Sequence, residues 1–330
     1  MLRSKKIILL LSIIIILFLF VILLRNIGIK NLYFLPTNSN LAMDLVNYNY
    51  IFDRNLSEDD PIVIKFIKEK FIVQPSTHPY YNLSDNSKKD FSMGQSEVVY
   101  RYYKQMEKLG KIANNESGFF IESGALDGET RSNTLFFEKE LGWTGLLIEA
   151  DPLNFEKLLQ KHRKSFSVNS ILCPTRANPR MIEFVQDFNL GQIKSYGSKF
   201  HESRNMIHKH TSKKLPCFSL YSTLLAIVEN VNLSNYVRDD KIQVDYFSLD
   251  VEGAELEVLK TIPFDKISIK IMTVEFFHVP GGKLELEQFM LKQGFLAVDT
   301  VTNPDNLAND IVFVNNDYWD ENVGKLINSV

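Results

Sequence analysis

The apolar positions change character along the chain. From Ile7 to Leu24 they are continuous, broken only by Ser12. Between Pro61 and Val73, residues Val63, Ile67 and Phe71 form one stripe at helical spacing, and 94–111 reads as a second helix with Ser96 as its expected N-cap. The stretch between them, QPSTHPYYNLSDNSKKD, is a loop by its Pro, Ser and Asn content. From Gly118 onward, short apolar runs alternate with helical stretches. Strands are expected at 119–123, 145–149, 166–172, 245–250, 269–276, 295–301 and 310–315, and helices near 131–141, 152–163, 219–230, 254–260 and 284–293. Such alternation predicts a parallel sheet covered by helices on both faces. FLAVDTV and DIVFVNN have no helix between them, so they predict an antiparallel hairpin at the end of the sheet. The stretch 174–218 reads as an insertion: a hairpin about Asn189-Leu190-Gly191, then a basic loop bearing histidines.

The first apolar run decides the chain's environment. A bilayer core takes about 20 apolar residues as a helix. A cleavable signal has a shorter core, about 7–15 residues, and a small-residue cleavage site. Here Arg25, Asn26 and Ile27 follow with no such site, so residues 7–24 are expected to be an uncleaved transmembrane helix in a lipid bilayer. Arg3, Lys5 and Lys6 precede the run and Arg25 and Lys30 follow it, which weakly favours a cytoplasmic tail over 1–6. Residues 25–93 then form a stem with one short helix, and 25–330 lie in the lumen or outside the cell. Sequons at Asn55, Asn82, Asn115 and Asn232 agree with that placement, although a chain rich in Asn, Ser and Thr holds such triplets by chance. Cys173 and Cys217 either pair in an oxidising compartment or remain two buried thiols. With 45% hydrophobic and 23% charged residues the chain builds a packed core. A net charge of −3 without a charge run offers no footing for nucleic acid.

Candidate chemistry gathers at three strand ends. FFIESGALDGETRSN turns out of a strand through Glu122, Gly124 and Gly128, and glycines serve where backbone bends sharply beside a ligand. Glu149 ends the next strand about 20 residues later, where an acidic residue binds ribose hydroxyls in doubly wound sheets. The bland role for Glu149 is a helix cap, which Asp151-Pro152 fills better. YFSLDVEGAELEVLK ends a buried strand at Asp250 and continues through Glu252. Ligands of open α/β sheets sit beyond the carboxyl ends of strands, so Asp250 and Glu252 are expected to face the same crevice as Gly124 and Glu149. Their bland roles are loop hydrogen bonding and helix capping. His278 is a third base candidate, more readily a surface histidine. His201, His208 and His210 lie near Lys209, Lys213 and Lys214, a polar surface rather than a metal site.

These residues carry a resemblance. E-S-G-A-L-D-G resembles the first motif of FkbM-type methyltransferases and D-V-E-G-A-E a later one. PSTHPYYNL, KHRKSF and CFSLYSTLLA, with those motifs, are similar to the animal Star-like proteins over roughly 61 to 280. The resemblance implies a class I methyltransferase fold over 94–330: a Rossmann-like α/β sheet of seven strands whose last strand is antiparallel. It implies S-adenosylmethionine (SAM) as cofactor, held by Glu122, Gly124, Gly128, Glu149 and Asp250. It implies methyl transfer to a glycan or other hydroxyl acceptor, with Asp250 and then Glu252 as catalytic bases. The Star-like branch implies a different role, escort of protein cargo from endoplasmic reticulum to Golgi or endosomes without catalysis. It also implies one N-terminal anchor, giving a type II protein of endoplasmic reticulum, Golgi, endosome or plasma membrane. Leu126 departs from the pattern, standing where many members carry Asn.

Overall fold

The structure, a computed structural model, describes residues 48–113, 117–187, 190–196, 211–228, 234–303 and 307–319. The segment 7–24, the sequons Asn115 and Asn232, and the His201, His208 and His210 loop lie outside the described residues. Among the described residues no helix is long and apolar enough to cross a membrane. The chain divides into the units Met1–Tyr50 and Ile51–Val330, and the second carries the whole sheet system.

Asp60 and Pro61 open helix α1 (Pro61–Lys70): the Asp60 carboxylate accepts the Ile62 N–H at 2.8 Å, and Pro at N1 has no N–H to waste. Strand β1 (Ile72–Val73) and helix α2 (Gln95–Lys108) follow. Then come β2 (Phe119–Ser123), α3 (Leu135–Leu141), β3 (Thr144–Glu149), α4 (Pro152–Leu159) and β4 (Phe166–Asn169). The insertion supplies β5 (Ile171–Leu172), β6 (Arg180–Val185), β7 (Gln192–Ile193) and β8 (Ser212–Phe218). The chain closes with α5 (Leu220–Val228), β9 (Val237–Arg238), β10 (Lys241–Leu249), α6 (Glu255–Leu259), β11 (Ile267–Glu275), α7 (Gly282–Lys292), β12 (Phe295–Thr302) and β13 (Asn309–Asn315).

The main sheet runs β1-β4-β3-β2-β10-β11-β13-β12, with β9 paired to β10. Strands β4, β3, β2, β10 and β11 are parallel, while β13 is antiparallel to both β11 and β12. Strands form in all seven expected stretches, and the last is the antiparallel one. Their sequences read as continuous apolar runs because both faces are buried. Along β2, Phe119 and Ile121 join one core while Phe120 joins the other; along β10, Phe247 and Tyr246 divide the same way. Leu220, Leu224, Leu256, Leu259, Leu286 and Met290 of α5, α6 and α7 cover the first face. Val99, Met106, Phe137, Phe155 and Leu158 of α2, α3 and α4 cover the second. Successive connections run outward in opposite directions from β2 and β10, so a crevice opens beyond their carboxyl ends.

Three local expectations change. The run 166–172 is not one strand: β4 stays in the main sheet, and β5 leaves it after Ser170 to join a second sheet of order β5-β8-β6-β7. Ser96 is not the N-cap of α2. Gly94 holds that position at φ 111°, Ser92 Oγ accepts from the Gly94 and Ser96 N–H groups, and the buried Ser96 hydroxyl donates to the Asn133 carbonyl at 3.0 Å. Residues 51–93, assigned by sequence to the stem, also build on the sheet: β1 extends it antiparallel to β4, and Phe71 packs edge-on to Phe218 at 4.9 Å.

The insertion's hairpin forms as expected, with Phe184 opposite Ile193 and Val185 opposite Gln192. Its sheet has a small core of Ile171, Phe184, Ile193, Leu215 and Ala254 around a disulfide between Cys173 and Cys217. That bond closes a loop of sequence separation 44. Constraining such a loop in the unfolded chain stabilises the fold by about 4 kcal/mol on the chain-entropy account. The Cys173→Ser/Cys217→Ser double variant is therefore expected to lose several kcal/mol in urea unfolding, and an unchanged midpoint would show that the staple contributes nothing.

Candidate active site

The loop after β2 is built around one buried carboxylate. Glu122 accepts from Ser132 Oγ at 2.8 Å, the Asn133 N–H at 2.7 Å and Thr134 Oγ1 at 2.5 Å. This ties residues 132–134 back to the strand end, which is why α3 begins at Leu135 rather than near 131. A second buried group supports the loop from behind. Arg163 donates to the Gly128 carbonyl at 2.5 Å and to Ser132 and Thr134 hydroxyls at 3.3 Å, and its Nε lies 3.1 Å from Glu138. Sequence reasoning gave Arg163 no role; the KHRKSF motif was its only signal.

Gly124 sits at φ +86°, and a Cβ there would lie 1.9 Å from the Asp250 carbonyl oxygen. Loop and β10 therefore touch backbone to backbone, which only glycine permits. Gly128, at φ +76°, does not line the cavity; a Cβ there would meet Leu158 of α4 at 2.9 Å. Its absent side chain lets loop and helix pack. Leu126 has φ +51°, a region in which Asn is enriched and Leu is strained. Its N–H donates to Glu149 Oε2 at 2.8 Å, and Glu149 Oε1 accepts from the Asp151 N–H at 2.7 Å. Asp151 also caps α4, as expected, accepting from the Leu153 N–H at 2.9 Å.

A cavity of about 1000 Å³, counting its open mouth, lies at these strand ends. Glu122, Gly124, Glu149, Asp250 and Glu252 all border it. The inserted sheet closes one side with Phe184, Gly191 and Ile193, and Ser170, where the chain changes sheets, lies between. Gln95 also lines it and donates to Asp310 Oδ2 at 2.8 Å. Two wall atoms have no hydrogen-bond partner among the described residues: Asn133 Oδ1 and Ser170 Oγ, on side chains 6% and 1% exposed.

The site is strongly acidic. Burial pushes Glu149 up to about 8. Burial, then the charge of Glu252, raises Asp250 to about 7, and burial raises Glu252 to about 8. Behind them lie Glu255, raised to about 8 by burial and by Asp250, and Glu275, raised to about 11 by burial and its acidic neighbours. Oxygens of Asp250, Glu255 and Glu275 lie within 4.8 Å of one another. Glu255 and Glu275 also organise loops: Glu255 accepts from the Val251 and Gly253 N–H groups, Glu275 from that of Phe277. Glu252 adopts φ +58° and its Oε2 lies 2.9 Å from His278 Nδ1. Burial lowers the His278 pKa.

The family described as Methyltransferase FkbM domain matches residues 122–297, from the first loop carboxylate into β12. No curated protein matches the chain. Among solved structures, an FkbM methyltransferase from Methylobacillus flagellatus KT is similar at 11% identity and a TM-score of 0.36, over 66% of this chain and 50% of that one. This chain thus spans half the length of that relative. A Pyrococcus horikoshii protein described as a candidate RNA methyltransferase is similar at 12% identity and a TM-score of 0.32, over 80% of this chain and 94% of that one.

The contact between Gly124 and the Asp250 carbonyl generates a prediction. In Gly124→Ala, a Cβ 1.9 Å from that oxygen at φ +86° must push loop and strand apart. We expect a loss of about 2 kcal/mol or more in urea unfolding. Wild-type stability would show that the loop yields freely.

Proposed function

The chain belongs to the Methyltransferase FkbM domain family, and from that premise we propose that it is a membrane-anchored, SAM-dependent O-methyltransferase acting on a hydroxyl of a glycan or similar acceptor. One observation carries the reading: three adjacent parallel strands, β3, β2 and β10, deliver Glu149, Gly124 and Asp250 to one cavity. The residues fit the cofactor. Gly124 leaves a cradle that any Cβ would fill. Glu149 stands at the strand end where a carboxylate holds ribose hydroxyls. Asn133 Oδ1 and Ser170 Oγ are buried acceptors awaiting donors.

SAM, when bound, supplies an electrophilic methyl group on a sulfonium. The protein's part is to orient the acceptor oxygen and to take its proton. Burial and the neighbouring Glu252 raise Asp250 toward neutrality, where a general base works best. The Asp250 carboxylate would take the proton of the acceptor hydroxyl, and bound SAM would supply the methyl group and leave with the sulfur's electron pair. Glu252, one turn of chain away and beside His278, is the second base candidate. The inserted sheet lines one side of the cavity with Phe184, Gly191 and Ile193 and is the proposed acceptor side.

The acceptor side is proposed to face the lumen or the cell exterior. The apolar run Ile7–Leu24 supports an anchor. The Cys173–Cys217 disulfide supports an oxidising compartment, since such bonds persist there. A second reading, Star-like escort of cargo without catalysis, is supported by Leu126, whose strained left-handed backbone lacks the Asn that would relieve it.

Two outcomes follow. Titration calorimetry of the full-length chain in detergent is expected to show binding of SAM or S-adenosylhomocysteine. No heat at millimolar ligand would sink the enzyme reading, as would a Glu149→Ala/Asp250→Ala variant that still supports its biological effect. For topology, Asn55 is an exposed sequon, while the Asn82 amide already donates to the Gln160 carbonyl at 2.9 Å. A glycosidase-sensitive mobility shift lost in Asn55→Gln is expected, and digestion of the domain by protease outside intact microsomes would reverse the orientation.

A further inference from the structure

The loop between β2 and α3 is anchored on both sides of Arg131. Before it, the Asp127 carboxylate accepts from the Glu129 N–H at 3.0 Å, the Thr130 N–H at 2.7 Å and Thr130 Oγ1 at 2.8 Å. After it, Glu122 holds Ser132, Asn133 and Thr134. Between these anchors Arg131 takes a left-handed backbone, φ +57°. A non-glycine residue keeps such a conformation at a cost, and functional sites are where that cost persists. Arg131 stands on the cavity wall, where its guanidinium is the one cation among the described lining residues. Among the described residues no hydrogen bond or ion pair engages it, and it moderates Asp250 and Glu252 through space.

Asn133, two residues further on, lines the same cavity. Three of its polar atoms are bonded. Its N–H donates to Glu122, its carbonyl accepts from Ser96 Oγ at 3.0 Å, and its Nδ2 donates to Ser248 Oγ at 3.0 Å. The fourth, Oδ1, is buried without a partner on a side chain 6% exposed. A buried acceptor left bare costs free energy, which a ligand that brings a donor recovers. Glu122 belongs to β2 and Ser248 to β10, so Asn133 is fixed at the β2–β10 side of the cavity.

We propose that Arg131 and Asn133 form a pocket for an α-amino-acid head group: the guanidinium takes the carboxylate, and Asn133 Oδ1 accepts from the ammonium on the neighbouring carbon. A guanidinium fork matches a carboxylate with two parallel N–H donors, and an amide oxygen suits an ammonium, which has donors only. The proposal rests on the reading of this cavity as a SAM site and names what holds the methionine end. The far end is left for the nucleoside. Ser170 follows β4, three strands from Asp250 in the order β4-β3-β2-β10, about 14 Å at ordinary strand spacing, and Glu149 stands between them. A zwitterion also fits the charge of the wall. It enters beside Glu122, Asp250 and Glu252 without adding net charge, whereas a phosphate would meet those carboxylates with a single guanidinium to offset them.

A rival role for Arg131 is to offset Asp250 and Glu252 and nothing more. The two roles differ in what they act on. A charge that only balances the wall affects every ligand of the cavity, whereas a head-group clamp affects only ligands that carry the head group.

Titration calorimetry on the full-length chain in detergent separates them, using S-adenosylhomocysteine and methylthioadenosine, which has the same nucleoside and thioether but no amino-acid group. We expect the wild-type protein to bind S-adenosylhomocysteine about 10- to 100-fold more tightly, the range for a charge-assisted hydrogen bond. Arg131→Gln and Asn133→Leu each lower that affinity toward the value for methylthioadenosine and leave methylthioadenosine itself unchanged. Arg131→Lys, which keeps the charge and loses the fork, falls between. Asn133→Asp, which keeps the acceptor, retains tight binding of S-adenosylhomocysteine. Equal wild-type affinity for the two ligands overturns the amino-acid pocket and leaves a nucleoside site standing. Equal losses for both ligands in the variants overturn the assignment to Arg131 and Asn133. Absence of binding by both ligands overturns the proposal together with the SAM reading beneath it. Where one variant fails to fold, its conservative partner and the other position decide.

Discussion

The structure depends on a buried carboxylate at the end of its central strand pair. Glu122 gives up solvation on entering the core, a loss that would be prohibitive for an unpaired charge. Three donors from 132–134 offset it, and they can do so only if the chain after Gly124 folds back over the strand. Arg163, reaching from beyond α4, closes the network by binding the Gly128 carbonyl and Glu138. Shape follows from solvation here. The loop takes one course because any other leaves a charge or several hydroxyls buried without partners.

That loop course fixes the rest of the site. With Gly124 pressed on the Asp250 carbonyl, β10 must end beside β2, and Asp250 and Glu252 are forced onto the same wall as Glu149. Each buried carboxyl on that wall works against stability at neutral pH, because folding raises its affinity for a proton. The two apolar cores on either face of the sheet supply the surplus. Three residues of this wall, Leu126, Arg131 and Glu252, hold left-handed backbone. Non-glycine residues keep such conformations only where surrounding contacts over-determine them.

Much of the sheet was legible in the sequence. FFIES, GLLIE and KIQVDYFSL are apolar on both faces, and that pattern has few readings other than central parallel strands. The missing helix between FLAVDTV and DIVFVNN gave the final antiparallel pair for the same reason. The cavity wall was legible wherever a residue follows a strand's apolar run, as at Glu149 and Asp250, since strand ends are visible as breaks in apolar runs. It was not legible where partners are far apart in sequence. Arg163 is 35 residues from the carbonyl it binds. Glu275, Glu255 and Asp250 belong to different elements whose closeness only the strand order reveals. The change of sheet at Ser170 was hidden because SFSVNSIL looks continuous: a strand that leaves one sheet for another keeps its apolar alternation. Ser96 misled because a small hydroxyl near a helix start has the composition of a cap, whereas here it is inside the helix and bonded to Asn133.

Leu126 shows how a strained loop residue is held in place. In a left-handed turn an Asn side chain relieves the backbone by local hydrogen bonding, and a Leu cannot. The chain supplies the missing constraint from elsewhere: the Leu126 N–H is held by Glu149, a carboxylate on the cavity wall. Glu149 thus has two oxygens already engaged with backbone, at Leu126 and at Asp151. Each carboxylate oxygen can accept more than one bond, so acceptor capacity remains on the cavity wall. Loop geometry and the cavity wall are then coupled through a single side chain. A ligand that pulls on Glu149 pulls on Leu126, and through it on Gly124 and the Asp250 wall. The order of the loop is thereby tied to the wall of the cavity it borders, through one carboxylate that bonds both Leu126 and Asp151.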